Sequence, residues 1–318
     1  MATSPTAPAP EPTTLEVVEG VDLTGKTCLI TGASAGLGKE SARALAKTGA
    51  HVILAARNPG ALRDAQTWIR AEVPNASTSI VELDLTSLAG IRTAAAAIQV
   101  LAPAIHVLMN NAGVMFTPFG RTSDGFEIQF GTNHLGHFEL TRLLAPQLVA
   151  ADGARIVILS SDGHRLSDVD LDDANWERRE YDKFAAYGAS KTANVLHMVE
   201  LDRRLRGRGV RAYSVHPGVV ATSLARHMTR EDFGSLMRRE PSDPGQEKID
   251  VRRDFLMPEQ GAATQVWAAV SKDLADGGSV YLADCRIRED VAPYAVDEAR
   301  AVALWELSEK LCDSGLQR

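Results

Sequence analysis

Tyr187 and Lys191 stand four residues apart at the head of a helix-forming run. On a helix that spacing puts both side chains on one face, about a turn apart. A free phenol titrates near pH ~10, and an ammonium fixed beside it favours the phenolate and draws that value down. A tyrosine tuned in this way can give a proton to a carbonyl oxygen or take one from an alcohol. The spacing alone is weak, because a half-buried ring beside a solvated lysine satisfies it equally. Its meaning depends on what stands upstream.

Upstream, the apolar run Thr27 to Thr31 meets Gly32-Ala33-Ser34-Ala35-Gly36-Leu37-Gly38, and Lys39 to Thr48 then has a helical pattern. Strand, glycine loop and helix form a phosphate-binding arrangement: glycines admit the backbone to a pyrophosphate, and the helix start offers unpaired N–H groups. The spacing Gly-x-x-x-Gly-x-Gly differs from the GxGxxG fingerprint, and a tight turn is the alternative reading. A second strand, His51 to Arg57, ends without the carboxylate that holds a ribose 2′-hydroxyl. Arg57 there suits a 2′-phosphate, so NADP is expected over NAD; a solvated arginine is the bland alternative.

The remaining pattern alternates. Thr78 to Leu83 forms a third strand running into Asp84-Leu85, whose carboxylate could meet an adenine amino group. A helix follows over Ser87 to Leu101, then a strand from Ile105 to Met109 breaking at Asn110-Asn111-Ala112-Gly113. Asn133 precedes a helix through Val149. The strand Arg155 to Leu159 ends in Ser160-Ser161, and Val210 to Val215 ends in His216-Pro217-Gly218. A helix over Pro258 to Val270, a strand over Ser279 to Leu282 and a helix over Asp297 to Cys312 complete the pattern. Such alternation predicts an α/β fold: one parallel sheet with helices on both faces, and ligands beyond the strand C-terminal ends. Gly32, Arg57, Asp84, Asn111, Ser161 and Pro217 all fall at those ends.

Composition bounds the rest. With 45% hydrophobic and 24% charged residues the 318-residue chain reads as an ordinary soluble globular protein. A net charge of -7 argues against a nucleic-acid surface. Cys28, Cys285 and Cys312 form no CxxC pair, which suggests neither a disulfide framework nor a metal site and fits the cytoplasm. No apolar run reaches the ~18 residues of a membrane span. Residues 1–20 are expected to be a disordered tail and 21–318 a single domain. Across Arg226 to Asp254 seven Lys/Arg meet seven Asp/Glu. Most of that stretch reads as an exposed mixed-charge surface, with Met228, Phe233, Leu236 and Met237 able to line a substrate lid over 224–257.

Taken together, Thr31-Gly32-x-x-x-Gly36-x-Gly38, Asp84, Asn110-Asn111-Ala112-Gly113, Asn133, Ser161, Tyr187-x-x-x-Lys191 and Pro217-Gly218 resemble the short-chain dehydrogenase/reductase family. Ala-Ala-Arg57, the long loop from Ser161 to Tyr187 and the tail Leu304 to Glu309 are similar to its retinol dehydrogenase and WW-domain oxidoreductase group. The resemblance implies a single-domain Rossmann-type fold and an oxidoreductase acting on a small-molecule carbonyl or alcohol; the apolar residues of the expected lid suggest an apolar one. It implies Tyr187 as proton donor or acceptor and Lys191 as the group that lowers its pKa and binds the nicotinamide ribose. Ser161, chosen over Ser160, would orient the carbonyl, and Asn133 would hold a water linking Lys191 to solvent. The cofactor would be held by Gly32, Ser34, Gly36, Leu37 and Gly38, then by Arg57, Asp84 and Leu85, then by Asn111, Ala112 and Gly113. Tyr187, Lys191, Pro217, Gly218, Val220 and Thr222 would complete its site. A homo-oligomer is compatible with all of this. The rival reading is a non-catalytic dinucleotide-binding sensor or scaffold, which has no need of Asn133, Ser161, Tyr187 and Lys191 together.

Overall fold

The computed structural model describes residues 11–220, 223–232, 234, 255–275 and 277–314. Its strands are β1 (Thr27–Thr31), β2 (His51–Ala56), β3 (Ser77–Glu82), β4 (Val107–Asn110), β5 (Arg155–Leu159) and β6 (Arg211–Val215), then β7 (Val219–Val220), β8 (Phe255–Leu256), β9 (Val280–Ala283) and β10 (Arg286–Arg288). Eight of them form one sheet in the order β3-β2-β1-β4-β5-β6-β9-β10, while β7 and β8 pair separately. Every neighbour in the large sheet is parallel except β9 and β10. The order reverses between β1 and β4, and the chain therefore leaves a crevice between those two strand ends.

The sheet is covered on both faces, and the strands show why. In β1, Leu29 packs into one core while Cys28 and Ile30 pack into the other. Likewise Ile156 and Ile158 of β5 face one side, and Val157 and Leu159 the other. Side chains alternate along a strand, so a strand buried on both faces must be apolar throughout, as these are.

The helices are α1 (Thr14–Val17), α2 (Gly36–Lys47), α3 (Pro59–Glu72), α4 (Leu88–Leu101), α5 (Ile128–Phe130), α6 (Gly136–Leu143), α7 (Ala145–Ala150), α8 (Lys183–Leu205), α9 (Pro258–Gly261), α10 (Ala263–Val270) and α11 (Glu298–Ser314). The longest, α8, starts at Asp182, whose carboxylate accepts from Phe184 N at 2.8 Å and Ala185 N at 3.2 Å, satisfying two orphan amides. Every residue from Ala186 to Asp202 is buried.

Three features depart from the sequence reading. The tail expected over residues 1–20 gives way to structure at Thr13, which makes a capping box with Glu16. Buried Thr14 then donates to Glu40 Oε1 at 2.5 Å and docks α1 on α2. The helix expected after His134 and through Val149 starts earlier and is broken: Gly131–Leu135, between α5 and α6, is a π turn, and Leu144 separates α6 from α7. The antiparallel edge strand β10 was not expected, since its exposed Arg-Ile-Arg carries no apolar run. Most of the expected lid, 233 and 235–254, lies outside the described residues, as does Thr222.

Candidate active site

The crevice at the strand ends opens into a cleft of about 300 Å³. One wall is made of backbone. After β1 the chain turns at Gly32 with φ +68°, a conformation that favours glycine. A Cβ on Gly38 would stand 2.5 Å from Asn111 Nδ2 and 2.6 Å from Gly32 O, so only glycine lets the loop and the end of β4 approach this closely. Asn111 Nδ2 donates to Thr31 O at 2.8 Å, and Gln265 Nε2 donates to Asn111 Oδ1 at 3.2 Å. The Asn111 side chain therefore braces the wall, and its neighbours Ala112 and Gly113 line the cleft. Ser34, Gly36 and Leu37 line it too. Ala35, the N-cap of α2, offers no side-chain acceptor. The first-turn N–H groups of α2 are thus left for an anion.

Arg57 stands exposed on the cleft wall, and among the described residues it makes no ion pair. Asp84 and Leu85 are on the wall as well. The Asp84 carboxylate accepts from Thr86 N at 3.0 Å and Thr86 Oγ1 at 2.8 Å, which shapes the turn into α4. Lys39 points elsewhere: its Nζ lies 4.2 Å over the Trp68 ring. Pro217, Gly218 and Val220, like Tyr187 and Lys191, are not among the lining residues; Val220 belongs to β7 and packs against Gly261. From the same segment Leu224 and Arg226 reach the cleft instead.

Tyr187 and Lys191 are each only 4% exposed, so neither is the half-solvated pair that the spacing allows. The Ser161 hydroxyl shares the neighbourhood of Gly163 with the Tyr187 ring, favours the phenolate of Tyr187 and accepts from Gly163 N at 3.0 Å. Ser160 faces away, donating to Lys191 O at 2.9 Å. Lys191 Nζ donates to Leu159 O at 3.0 Å and lies 5.6 Å from the centre of the Tyr187 ring. Asn133, in the π turn, clamps Val114 in both directions: its Oδ1 accepts from Val114 N at 2.8 Å and its Nδ2 donates to Val114 O at 2.9 Å. The same Nδ2 donates to Ser190 Oγ on α8 at 2.9 Å.

Electrostatics here reverse one expectation. Burial pushes Tyr187 up to about 12, with only the Ser161 hydrogen bond acting against it. Burial draws Lys191 down to about 8. Taking either group out of water strips the hydration from its charged form, which raises the phenol and lowers the ammonium.

Several residues at the site carried no legible signal in the sequence. Thr132 lines the cleft with a buried Oγ1 that has no partner. This orphan hydroxyl, the glycine cradle and the uncapped α2 start all fit a bound dinucleotide. Phe116 sits edge-on to Tyr187, with ring centres 4.9 Å apart, and Phe184 lies 4.7 Å from Phe116. Phe116 holds φ +52°, and its N–H is pinned by Gln129 Oε1 at 2.8 Å.

Known proteins are similar to this chain in sequence and in architecture. The short chain dehydrogenase family model matches residues 26–232. Human retinol dehydrogenase 13 is 42% identical over 287 residues, covering 90% of this chain and 84% of its own. The chloroplastic short-chain dehydrogenase TIC 32 A of Brassica napus is 38% identical over 311 residues, covering 94% and 92%. Among solved structures, an uncharacterised protein of Mycobacterium paratuberculosis superposes with a TM-score of 0.73 at 33% identity, covering 97% of this chain and 100% of that one. A short chain dehydrogenase of Escherichia coli CFT073 complexed with NADPH shares the fold, with a TM-score of 0.62, 24% identity and coverage of 82% and 97%. The chain belongs to the short-chain dehydrogenase family, the NAD(P)-dependent enzymes that act on CH–OH or C=O groups.

Proposed function

We propose that this protein is an NADP-dependent oxidoreductase for apolar carbonyl/alcohol pairs, with Tyr187 as general acid and base. The observation that carries the proposal is the buried Tyr187, with Ser161 beside it, Lys191 Nζ over its ring and Phe116 against it. A bound dinucleotide supplies or accepts the hydride. The chain supplies proton and charge control. With a pKa of about 12, Tyr187 is a protonated acid at neutral pH, ready to donate as negative charge grows on a carbonyl oxygen. Ser161 stabilises that charge. Lys191 makes the resulting phenolate less unfavourable, and in the alcohol direction the same groups act in reverse. Asn133 holds Val114 and Ser190 on either side of the tyrosine turn. Phe116 and Phe184 exclude water from the ring and favour an apolar substrate.

Arg57 supports NADP as the cofactor, because β2 ends without a carboxylate that would repel a 2′-phosphate. The NADPH bound by the Escherichia coli relative agrees with this. Among the described residues no helix is long and apolar enough to cross a membrane. Three free cysteines suit a reducing compartment, for which we infer the cytoplasm. A dinucleotide sensor or scaffold is the less favoured reading: it gains nothing from a buried Tyr187–Lys191 pair.

The experiment is a panel of aldehydes and ketones, all-trans-retinal included since relatives are named for retinol, supplied with NADPH or NADH. NADPH consumption should be fastest with apolar carbonyls. Tight NADPH binding with no carbonyl reduced anywhere in the panel would overturn the proposal in favour of the sensor.

A further inference from the structure

Beside the cleft lies a buried imidazole that no part of the chemistry above employs. His137, on α6, is completely buried. Its Nδ1 lies 2.9 Å from the backbone carbonyl of Asn133, and its Nε2 lies 2.8 Å from Thr31 Oγ1. The Thr31 oxygen also receives Asn111 N at 2.9 Å and Ala112 N at 3.0 Å. A single ring thus joins the π turn that carries Asn133 to the strand ends that floor the dinucleotide cleft.

Hydrogen-bond chemistry fixes how this chain of contacts is wired. A carbonyl oxygen only accepts, so His137 Nδ1 must carry a proton. A hydroxyl has two acceptor sites and one proton. The amides of Asn111 and Ala112 fill both acceptor sites of Thr31, which leaves only its proton for His137 Nε2. The alternative acceptor for that proton, Met109 O, is further away at 3.3 Å. An imidazolium would have to donate a third hydrogen bond into the Thr31 oxygen, and there is no lone pair to take it. Burial also draws His137 down to about 4, in agreement with the count.

We propose that His137 is a positioning residue, locked as the neutral Nδ1–H tautomer, that holds the Asn133 carbonyl with one nitrogen and the Thr31–Asn111–Ala112 cleft floor with the other. Its two nitrogens serve different halves of the site, and they can be separated by substitution. Asparagine places an amide N–H at the position of Nδ1 and reaches no further. Glutamine places an acceptor near the position of Nε2 and leaves the Nδ1 position empty. His137→Asn therefore keeps the Asn133 contact and loses Thr31; His137→Gln does the reverse.

The inference rests on the reading that the cleft takes a dinucleotide, and the test keeps the two apart. NADPH is titrated into wild type and both variants, and amide hydrogen exchange is followed in the peptides spanning 111–114 and 128–138. His137→Asn should weaken NADPH about three- to tenfold, the range of one hydrogen bond, and speed exchange at 111–114 alone. His137→Gln should bind NADPH within about twofold of wild type and speed exchange at 128–138 alone. Equal losses in both readouts for both variants, or none in either, would overturn the assignment. Absence of NADPH and NADH binding by the wild type would instead overturn the dinucleotide reading. Histidine ¹⁵N resonances of the wild type, which need no variant to fold and no ligand, should show the His137 proton on Nδ1 with Nε2 bare. A proton on Nε2 at neutral pH would contradict the proposal.

Discussion

The two walls of the candidate site, the cleft and the tyrosine cluster that abuts it at Gly113, are built by opposite means. The dinucleotide wall is largely main chain: glycines at closest approach, uncapped amides and strand ends, held by Asn111 and Gln265 bracing the backbone. The tyrosine wall is side chain: Tyr187, Lys191, Asn133 and Ser161 carried on a buried helix, a π turn and a strand end. A backbone wall is sensitive to added volume and nearly indifferent to charge. A wall of buried ionisable groups is sensitive to charge and carries a folding penalty, since each polar group taken from water must find a partner. Binding and chemistry should therefore fail separately in this molecule.

The largest effect on cofactor affinity should come from adding volume to the backbone wall. In Gly38→Val the new Cβ would meet Asn111 Nδ2 and the Gly32 carbonyl, and neither can retreat. NADPH affinity should fall by more than about a hundredfold in a titration, while the melt loses roughly 1–3 kcal/mol as overpacking typically does. Unchanged affinity would show that the loop does not hold the cofactor.

A smaller effect, and one of charge, is expected at the rim. Arg57→Asp removes an attraction to a 2′-phosphate and adds a repulsion. Charge-assisted bonds contribute roughly 1.5–3 kcal/mol, so the NADPH:NADH affinity ratio should drop about ten- to a hundredfold. Lys39, engaged with Trp68, should not compensate. An unchanged ratio would remove Arg57 from the account.

On the tyrosine wall, volume should affect turnover alone. A Cβ at position 163 would stand 2.7 Å from Tyr187 Cε1, so Gly163→Ala must tilt the phenol. Turnover should fall about tenfold, in line with a small misplacement of a reacting group. NADPH affinity should stay as in the wild type, and a parallel loss of both would join the two walls into one unit.

The smallest expected change is a gain. Lys191 is drawn down to about 8 in the folded protein against ~10.4 in the unfolded chain. Below pH 8 the ammonium is buried at full cost; between 8 and ~10.4 the cost fades as the unfolded chain loses its proton, and above that it vanishes. Lys191→Met should therefore stabilise the fold at pH 7 by up to roughly 2–3 kcal/mol and lose that gain as pH rises toward 10. Turnover should be lost. A less stable variant at pH 7 would mean that the Leu159 contact outweighs desolvation.

The same contrast explains what could be read before the structure. The backbone wall was legible, because close approach demands glycine and strand ends after apolar runs are periodic. The identities of Ser161, Tyr187 and Lys191 were legible as motif residues. Their environment was not: burial is a tertiary property, and it turned the expected fall in the Tyr187 pKa into a rise. The π turn was hidden because Gly131-Thr132-Asn133-His134 are poor helix formers and read as a lead-in to the helix, not as a helical turn. Thr132, Phe116 and His137 gain their places only when distant segments meet, as Thr31 and His137 do across 106 residues. α1 was hidden by the Pro- and Thr-rich start, where Thr13 and Glu16 form a cap too short to register as a pattern.

Tyr187→Phe puts the separation of binding from chemistry to its most direct test. Only the hydroxyl is lost, and the ring that packs against Phe116 remains. NADPH affinity and carbonyl turnover are measured on the same preparation, using the best carbonyl from the aldehyde and ketone panel. Affinity should stay within about twofold of wild type while turnover falls by about a thousandfold or more, as for loss of a general acid. Turnover near the wild-type rate would contradict the role of Tyr187, and a matching collapse of NADPH affinity would contradict the separation of the two walls.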